Sequence, residues 1–369
     1  RRACLRAARQ SSRMATSGNE TAAAAEATPA NAAATILQAT LQATEAFRSA
    51  SRWRGLEWLF WLLPLAAIFM FPRHYVLLTE IAIFGLFALS LDLILGYAGI
   101  VSLGHTAFFG FGAYTAALFA KHLHPDPLLG LGVAIAATAA LGFATSVLIL
   151  RGSDLTRLMV TLGIALILYE LAAKLAWLTG GTDGLQGVVV GPVLGRFEFD
   201  LSGRTAYLYS LAVLFLLFLV ARRVAFSPFG LSLQAIRDNR LRAAAIGIPV
   251  SRRLAAANTL AAALAGAAGA LLAQTTNFVS LDVLSFHRSA EALLVLVIGG
   301  TGYLYGGMIG AAVFTLLHDR LATLTPQYWQ FWVGAILVLI VLVGRERLVT
   351  PWTWTATWNR VRRAPAPRA

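Results

Sequence analysis

The sequence predicts an all-α integral membrane protein of about ten transmembrane or re-entrant helical segments, with a helix-bearing loop on the cytoplasmic side. Apolar residues make up 58% of the chain and charged residues only 13%, whereas a soluble domain is about a quarter charged. The mean hydropathy is +0.70, and many apolar runs reach about 20 residues, the length that crosses a bilayer. Between two such runs lies a basic stretch, 221–253, with seven arginines and one acidic residue.

Three regions follow from this pattern along the chain. Residues 1–54 form a basic N-terminal tail whose composition predicts disorder, and Met14 is an alternative start that would leave residues 1–13 untranslated. Residues 55–347 form a transmembrane domain. Residues 348–369 form a second basic tail.

The predicted spans are separated by short polar loops. They lie at about 56–71, 75–95, a span ending near Lys121, 128–150, 158–178, 205–221, 254–274, 289–298, 306–317 and 328–343. The pieces 289–298 and 306–317 are split by GGTGYLY, which favours two short or re-entrant pieces over one crossing. In transporters such broken segments lie near the substrate path, although close helix packing through small residues is the other interpretation.

Charge supports this count of segments. Counting the broken piece as two crossings puts both termini on one side, and it gathers 23 of the 30 basic residues there. Because Lys and Arg mark cytoplasmic loops, we expect both termini and the loop 221–253 in the cytoplasm. The formal net charge of +13 does not indicate nucleic-acid binding, since the arginines lie in loops and tails rather than on one folded face.

The basic loop predicts one helix at 230–246. Ser227-Pro228 precedes this stretch, and Gly247 and Pro249 end it. Its apolar residues alternate with arginines, which allows two interpretations. The helix could lie on anionic lipid, or it could dock into a partner protein.

Ionisable residues inside predicted spans are functional hypotheses by default. Glu170 and Lys174 are four residues apart in the order that favours an ion pair on one helix. Glu80, Asp92 and Glu291 lie near span ends, where snorkelling to the membrane surface explains them. We therefore expect a structural ion pair and three carboxylates that reach water.

The sequence predicts transport rather than covalent chemistry. It has no Gly-Lys pair for a nucleotide phosphate loop, no H-E-x-x-H and no G-x-S-x-G. No metal site and no cofactor is predicted in this chain. His105, in a glycine-rich segment, is expected to be a hydrogen-bonded structural residue rather than a proton relay. Passage across a membrane would then need an ion gradient or a separate ATPase.

Five segments carry a family resemblance, in order along the chain. They are LDLILGYAGIVSLGHTAFFGFGAYTAAL (91–118), LTGGTDGLQGV (178–188), SPFGLSLQAIRDNRLRAAAIGIPVSRR (227–253), ALAGAAGALLA (263–273) and FVSLDVLSFHRSAEALLVLVIGGTGYLYGGMIGA (278–311). Together they resemble the membrane permease subunits of branched-chain amino acid ABC importers, the LivM type. The resemblance spans 56–347 and leaves out the tails.

The resemblance implies a multi-pass permease of the bacterial inner membrane that is not itself an enzyme. Its partners would be a second homologous permease subunit, two cytoplasmic ATPase subunits that hydrolyse ATP, and a periplasmic substrate-binding protein. The basic loop would then be the element that couples to the ATPase. The coupling residues would be Gln234, Ala235, Ile236, Arg237, Asp238, Asn239, Ala243, Ala244 and Gly247. The loop departs from the family pattern at Leu231, where the family usually has Arg, and it lacks a glutamate before Ala243.

The pathway and the substrate are less constrained. The candidate pathway-lining residues are Gly99, Ser102, Gly104, His105, Gly181, Asp183 and Gly184. The family also includes permeases for urea, short-chain amides and aromatic acids. The binding protein sets much of the selectivity, so the permease sequence alone is a poor guide to the substrate. An ion-coupled secondary transporter is the alternative class, and its ion-linked group would be Glu80, Asp92, His105 or Glu170.

Overall fold

The protein is described by a computed structural model that covers residues 55–150, 152, 154–200, 202–324, 326–328, 331–332, 334–335 and 338. The chain divides into two compact units between Phe60 and Trp61. Of the first unit the structure describes residues 55–60, and all contacts discussed below belong to the second. Both predicted tails and most of the last predicted span, 328–343, lie outside the described residues.

The described part of the chain is almost entirely helical. Its helices are α1 (Gly55–Met70), α2 (Tyr75–Asp92), α3 (Thr106–His122), α4 (Pro127–Ile149), α5 (Asp154–Lys174), α6 (Ala176–Thr179), α7 (Arg204–Ala225), α8 (Pro228–Asp238), α9 (Arg240–Ala245), α10 (Val250–Thr276), α11 (Phe286–Gly299) and α12 (Leu304–Leu324). A π-helical turn, Leu93–Tyr97, continues α2, and a 3-10 turn, Leu281–Leu284, precedes α11. Within this part, β pairing is confined to two isolated bridges, Leu185 with Val279 and Val193 with Phe197.

Five of these helices are long and apolar enough to cross a membrane: α2 with its π-helical turn, α4, α5, α7 and α10. The bent pair α11 and α12 makes a sixth if it is counted as one span, and α1 is a shorter apolar helix. The predicted all-α integral membrane fold is confirmed. Each predicted span up to 306–317 coincides with a helix in the structure.

Helix α10 packs closely against α3 and α4 because its face is built of alanine and glycine. A Cβ added at Gly269 would strike the carbonyl oxygen of Phe109 on α3. On the α4 side, the buried Asn258 Nδ2 donates to the Gly142 carbonyl at 2.7 Å. Small residues and buried interhelical hydrogen bonds are the usual means of holding helices together in lipid, where the hydrophobic effect between helices is absent.

Helices α11 and α12 are bent by 113° at the break between them. Gly300 (φ 96°) and Gly302 (φ 81°) take left-handed backbone angles there, which a residue with a Cβ would adopt only with strain. The two helices touch at Gly299, where an added Cβ would strike the carbonyl of Gly306. The predicted split of this segment at 299–305 is confirmed.

Helix α2 packs against both members of this bent pair. Phe84 and Ala88 of α2 form one buried apolar cluster with Val295 of α11 and with Ala311 and Phe314 of α12. The two ends of α2 therefore lie beside two different parts of the pair. Its C-terminal end faces the break, and its N-terminal end faces the residues where α11 begins.

Candidate functional site

The basic loop folds into a short helix whose start follows ordinary capping rules. Ser227 is the N-cap of α8, with Oγ accepting from the backbone N–H of Gly230 at 3.4 Å, and Pro228 follows at the first helical position. The helix packs tightly from its first turn, since a Cβ at Gly230 would strike the carbonyl of Ala225. Leu233 and Ile236 of this helix are buried.

The prediction of one continuous helix over 230–246 is wrong. The backbone at Asn239 is extended (φ −158°, ψ 103°), and it separates α8 from α9. The side chain explains the break, because Asn239 Oδ1 accepts the backbone N–H of Arg242 at 2.9 Å and caps α9. Asparagine competes with helical hydrogen bonds in this way and favours N-cap positions.

The predicted coupling residues divide into three sets by their exposure. Ile236 and Ala243 are buried and hold the two short helices against the spans. Gln234 and Ala235 are half-buried. The remaining residues are exposed: Arg237, Asp238, Asn239, Ala244 and Gly247. The exposed set is the most accessible to a partner from outside the chain.

Arg237 connects the loop to the end of α2. Its Nη1 donates to the carbonyl oxygen of Gly96 at 2.5 Å, while Nε and Nη2 donate to Asp238 Oδ1, both at 3.2 Å. The stem of the side chain lies against Gly99, where an added Cβ would be 2.6 Å from Arg237 Cγ. Gly99 has a left-handed backbone (φ 70°), so glycine suits this position for two reasons.

Asp92 connects the same end of α2 to the break between α11 and α12. Its carboxylate is fully buried, and Oδ1 accepts the backbone N–H of Gly302 at 2.6 Å. Gly96 fits between them, since a Cβ there would strike both Asp92 Oδ1 and the Gly302 nitrogen. The snorkelling interpretation of Asp92 is therefore wrong. We call Asp92, Gly96, Gly99, Arg237 and Gly302 the loop junction.

The outer side of the loop combines apolar and basic side chains. Leu241 is 85% exposed and Ile246 is 69% exposed. Arg240, Arg242 and Arg252 are exposed around them. We call these five residues the loop surface. Apolar anchors among arginines are typical of protein interfaces, in which arginine is enriched and lysine depleted.

In the first group of predicted pathway residues, Ser102, Gly104 and His105 are packed inside the helices, whereas Gly99 is exposed at the loop junction. Ser102 and His105 are buried, and a Cβ at Gly104 would strike the carbonyl of Thr161 on α5. His105 Nε2 lies 2.9 Å from Ser90 Oγ, and its ring stacks on Phe87 with the centroids 5.7 Å apart. The expected hydrogen bond of His105 is confirmed. A pathway role for this group stays a prediction.

The second predicted group lies in the loop after α6. Gly181 (φ 57°) and Gly184 (φ 76°) have left-handed backbones, and Asp183 is exposed. A Cβ at Gly184 would be 2.7 Å from the ring of Phe278. The adjoining bridge between Leu185 and Val279 (N to O, 2.7 Å) fixes this loop beside the segment that leads into α11. Its pathway role also stays a prediction.

A second polar site, not singled out from the sequence, lies where α11 begins. It is a cavity of about 190 Å³, which we call the charged cavity. Its walls include Glu80, Phe84, Asp282, Arg288, Glu291 and Phe314. These residues come from α2, the 3-10 turn before α11, α11 itself and α12. The sequence did contain a signal for this site, namely the carboxylates of Glu80 and Glu291 near the ends of predicted spans. Snorkelling was the interpretation given to them.

Arg288 organises the charged cavity. Its Nε donates to Asp282 Oδ2 at 3.0 Å and its Nη1 to Glu291 Oε2 at 3.3 Å. The guanidinium carbon lies 5.4 Å from the centroid of the Phe84 ring, a cation–π geometry. His287 Nε2 lies 3.3 Å from the other oxygen of Glu291. The side chain of Glu291 is only 9% exposed, so snorkelling does not explain it.

The loop junction and the charged cavity lie at opposite ends of the same helices. Glu80 precedes Asp92 by twelve residues on α2, which is about 18 Å at the helical rise of 1.5 Å per residue. Phe314 follows the start of α12 by ten residues, which is about 15 Å. The two sites are therefore separated along these helices by about half the thickness of a bilayer core, which is about 30 Å.

Two further expectations concern ionisable residues. Among the ion pairs of the described residues none joins Glu170 to Lys174, and both side chains are exposed, so that predicted pair is wrong. Where the structure describes the chain, no group of three His, Cys, Asp or Glu residues is arranged to hold a metal ion. The prediction that this chain carries no cofactor stays a prediction.

A bundle of apolar helices with a bent pair, and with a basic loop bonded to the end of one span, is an architecture found in membrane transporters. The family model described as "Branched-chain amino acid transport system / permease component" matches residues 75–341. The chain belongs to this family, and the resemblance identified in the sequence is confirmed.

Two curated relatives are branched-chain amino acid permeases. The high-affinity branched-chain amino acid transport system permease protein LivM of Salmonella typhimurium is 30% identical over 312 residues, which cover 77% of this chain and 72% of the relative. LivM of Escherichia coli strain K12 is 30% identical over 319 residues, 79% of this chain and 73% of the relative.

The family is broader than these two relatives. The Autoinducer 2 import system permease protein LsrC of an Enterobacter species is 29% identical over 222 residues, 58% of this chain and 62% of the relative. No solved structure matches the chain.

Proposed function

We propose that this chain is the permease subunit of an ABC importer that moves branched-chain or related amino acids into the cell. ATP would be hydrolysed on two cytoplasmic ATPase subunits, and this chain would carry no cofactor of its own. A second homologous permease would complete the pathway, and a periplasmic binding protein would deliver the substrate. Both termini and the loop surface lie in the cytoplasm in this proposal, because basic residues concentrate in inside loops.

The bond from Arg237 to Gly96 carries the proposal. A loop that served only as a tether between α7 and α10 would need no bond to a different span. Here α8 donates a charge-assisted hydrogen bond to the end of α2, and such bonds are stronger than neutral ones. A force applied to the loop surface therefore reaches α2 and, through Asp92 and Gly302, the bent pair.

The loop surface supports an ATPase as the partner. Leu241 and Ile246 are exposed on short helices whose inner residues, Ile236 and Ala243, fix them to the membrane domain. Apolar side chains presented on a rigid support suit a groove in another protein. A loop that only lay on lipid would gain nothing from its bond to α2.

The substrate class rests on the relatives. Both LivM proteins are named for branched-chain amino acids, whereas LsrC is named for autoinducer 2. The two LivM relatives match a larger share of this chain than LsrC does. We therefore place branched-chain or related amino acids first, and urea, amides and aromatic acids after them.

Co-purification with the ATPase subunits tests this proposal. The chain is expressed with the ATPases and the second permease encoded beside it, as wild type and as Leu241→Asp. A charge at the centre of the loop surface should lower ATPase recovery by at least about tenfold, because buried interface anchors each contribute 2 kcal/mol or more. Leu123→Asp is the matched control, since this leucine is 75% exposed in the loop before α4.

Two results would count against the proposal. If Leu241→Asp recovered the ATPases at the wild-type level, the loop surface would not be part of the ATPase interface. Failure of the wild-type chain to recover any ATPase would favour the alternative of an ion-coupled transporter. In that case substrate uptake should collapse with the proton or sodium gradient and not with ATP depletion.

A further inference from the structure

We propose that the charged cavity is a binding site for the zwitterionic backbone of an α-amino acid at the outer mouth of the permease. Glu80 and Glu291 would hold the ammonium group, and Arg288 would hold the carboxylate. The inference rests on the proposed function for its direction of transport, but the binding site can be tested without transport.

The ammonium end of the cavity is defined by carboxylates. Three carboxylates face the space, those of Glu80, Asp282 and Glu291, and among the described residues on its walls the basic side chains are Arg288, His287 and His318. Arg288 is shared between Asp282 and Glu291. Glu80 is half-buried, and none of the ion pairs of the described residues includes it. A carboxylate in excess beside a pocket in a membrane protein favours a cationic ligand group.

The carboxylate end is defined by Arg288 and by the start of α11. The guanidinium has five N–H donors, and two of its nitrogens, Nε and Nη1, bind protein carboxylates. Nη2 carries further donors for a ligand. Helix α11 begins at Phe286 with Ser285 as its N-cap, so the positive end of its dipole lies at the cavity. Broken helices in transporters present such ends to anionic substrate groups.

The aromatic wall of the cavity and the cavity volume favour a small ligand with an apolar part. Phe84 and Phe314 line the cavity and belong to the buried apolar cluster beneath it. The volume of about 190 Å³ is below the roughly 300–1,000 Å³ of sites for drug-sized molecules. A free amino acid with an aliphatic side chain combines all three features: an ammonium, a carboxylate and a small apolar group.

The position of the cavity suits a role in transport. It lies about 15–18 Å from the loop junction along α2 and α12, so in the proposed orientation, with the loop in the cytoplasm, it lies nearer the outer side. The helices that form it are also those that the loop junction holds: Asp92 is on α2, and Gly302 lies between α11 and α12.

Ligand-observed saturation-transfer NMR tests the site directly. The chain is assembled with its partner subunits in lipid nanodiscs, without the binding protein. The probes are L-leucine, 3-methylbutylamine, which lacks the carboxylate, and 4-methylpentanoate, which lacks the ammonium. L-leucine should bind best. Glu80→Gln should weaken leucine and 3-methylbutylamine by about tenfold and leave 4-methylpentanoate unchanged. Arg288→Gln should show the opposite pattern between the two analogues.

The controls separate this inference from misfolding and from the proposed function. Glu170→Gln removes an exposed carboxylate on α5 and should leave all three probes unchanged. Leucine binding that is equal in wild type and Glu80→Gln overturns the inference. Loss of the second permease from the Glu80→Gln complex also overturns it, because the cavity is then part of a subunit interface. Glu80-dependent binding without ATP-driven uptake overturns the proposed function instead.

Discussion

The two ends of α2 use charge in different ways. At the C-terminal end, Asp92 and Arg237 bind backbone groups, an N–H of Gly302 and a carbonyl of Gly96. At the N-terminal end, Glu80 faces a cavity whose other charges bind one another. Charged groups bonded to the backbone fix the position of a helix end. Charged groups beside open space remain available to a ligand. One end of α2 is therefore suited to transmitting motion from the loop, and the other end to binding a ligand.

The largest effect is expected at Gly96, the most crowded position of the loop junction. In Gly96→Ala the added Cβ would strike Asp92 Oδ1 and the Gly302 nitrogen. Overpacking of this kind costs about 1–3 kcal/mol, and uptake should fall to background because α2 separates from the bent pair. Thermal unfolding and uptake in vesicles measure the two effects. Gly163→Ala, with no atom within 4 Å of the added Cβ, is the matched control, and similar uptake by both variants would contradict the assignment.

A smaller effect is expected at Arg237, which joins the loop to α2. Arg237→Gln removes the charge-assisted bond to Gly96, and we expect uptake per ATP hydrolysed to fall about tenfold. The ATPases should still co-purify, because the loop surface is intact. Arg223→Gln removes an exposed arginine in the last turn of α7, outside both the loop junction and the loop surface, and should keep the wild-type ratio. Equal ratios of uptake to ATP hydrolysis in the two variants would show that the loop junction does not transmit motion from the loop to α2.

The next effect is local to α9. Asn239→Ala removes the cap on the backbone N–H of Arg242, which costs about 1 kcal/mol. Amide hydrogens of 240–245 should then exchange about fivefold faster, while those of α8 keep their rates. Hydrogen exchange with mass spectrometry measures both segments. Faster exchange throughout both helices would mean that they form one cooperative unit, as the sequence had suggested.

The smallest effect is expected for Glu170→Gln. Glu170 is exposed on α5, and none of the ion pairs of the described residues includes it. Its replacement should change stability by less than about 0.5 kcal/mol and leave uptake unchanged. Uptake and thermal unfolding are the measurements. A loss of uptake here, together with dependence on an ion gradient, would revive the secondary-transporter alternative.

Much of the fold could be predicted because its signals are local. Apolar runs gave the spans, and Gly300 and Gly302 marked the break between α11 and α12. The helix over 230–246 was misjudged because its apolar spacing continues across Asn239, whose side chain caps a second helix instead. A polar side chain that can both continue and interrupt a helix leaves its choice to the tertiary contacts.

The sites could not be predicted in the same way, since they join residues that are distant in sequence. Asp92 binds Gly302, and Arg237 binds Gly96. No spacing along the chain predicts either pair. Glu80 and Arg288 approach one cavity only because α2 packs against the bent pair. Closeness to a span end suggested snorkelling, which is a statement about one helix and ignores its neighbours.

The break between α11 and α12 has a mechanical consequence. Helix α11 has 14 residues and is therefore about 21 Å long. If it turned about the break, where Asp92 binds Gly302, its far end would move as the end of a lever. A turn of roughly 5° at that pivot displaces the far end by roughly 2 Å. That displacement exceeds the range over which a hydrogen bond survives, so such a turn would break contacts between the start of α11 and the helices beside it.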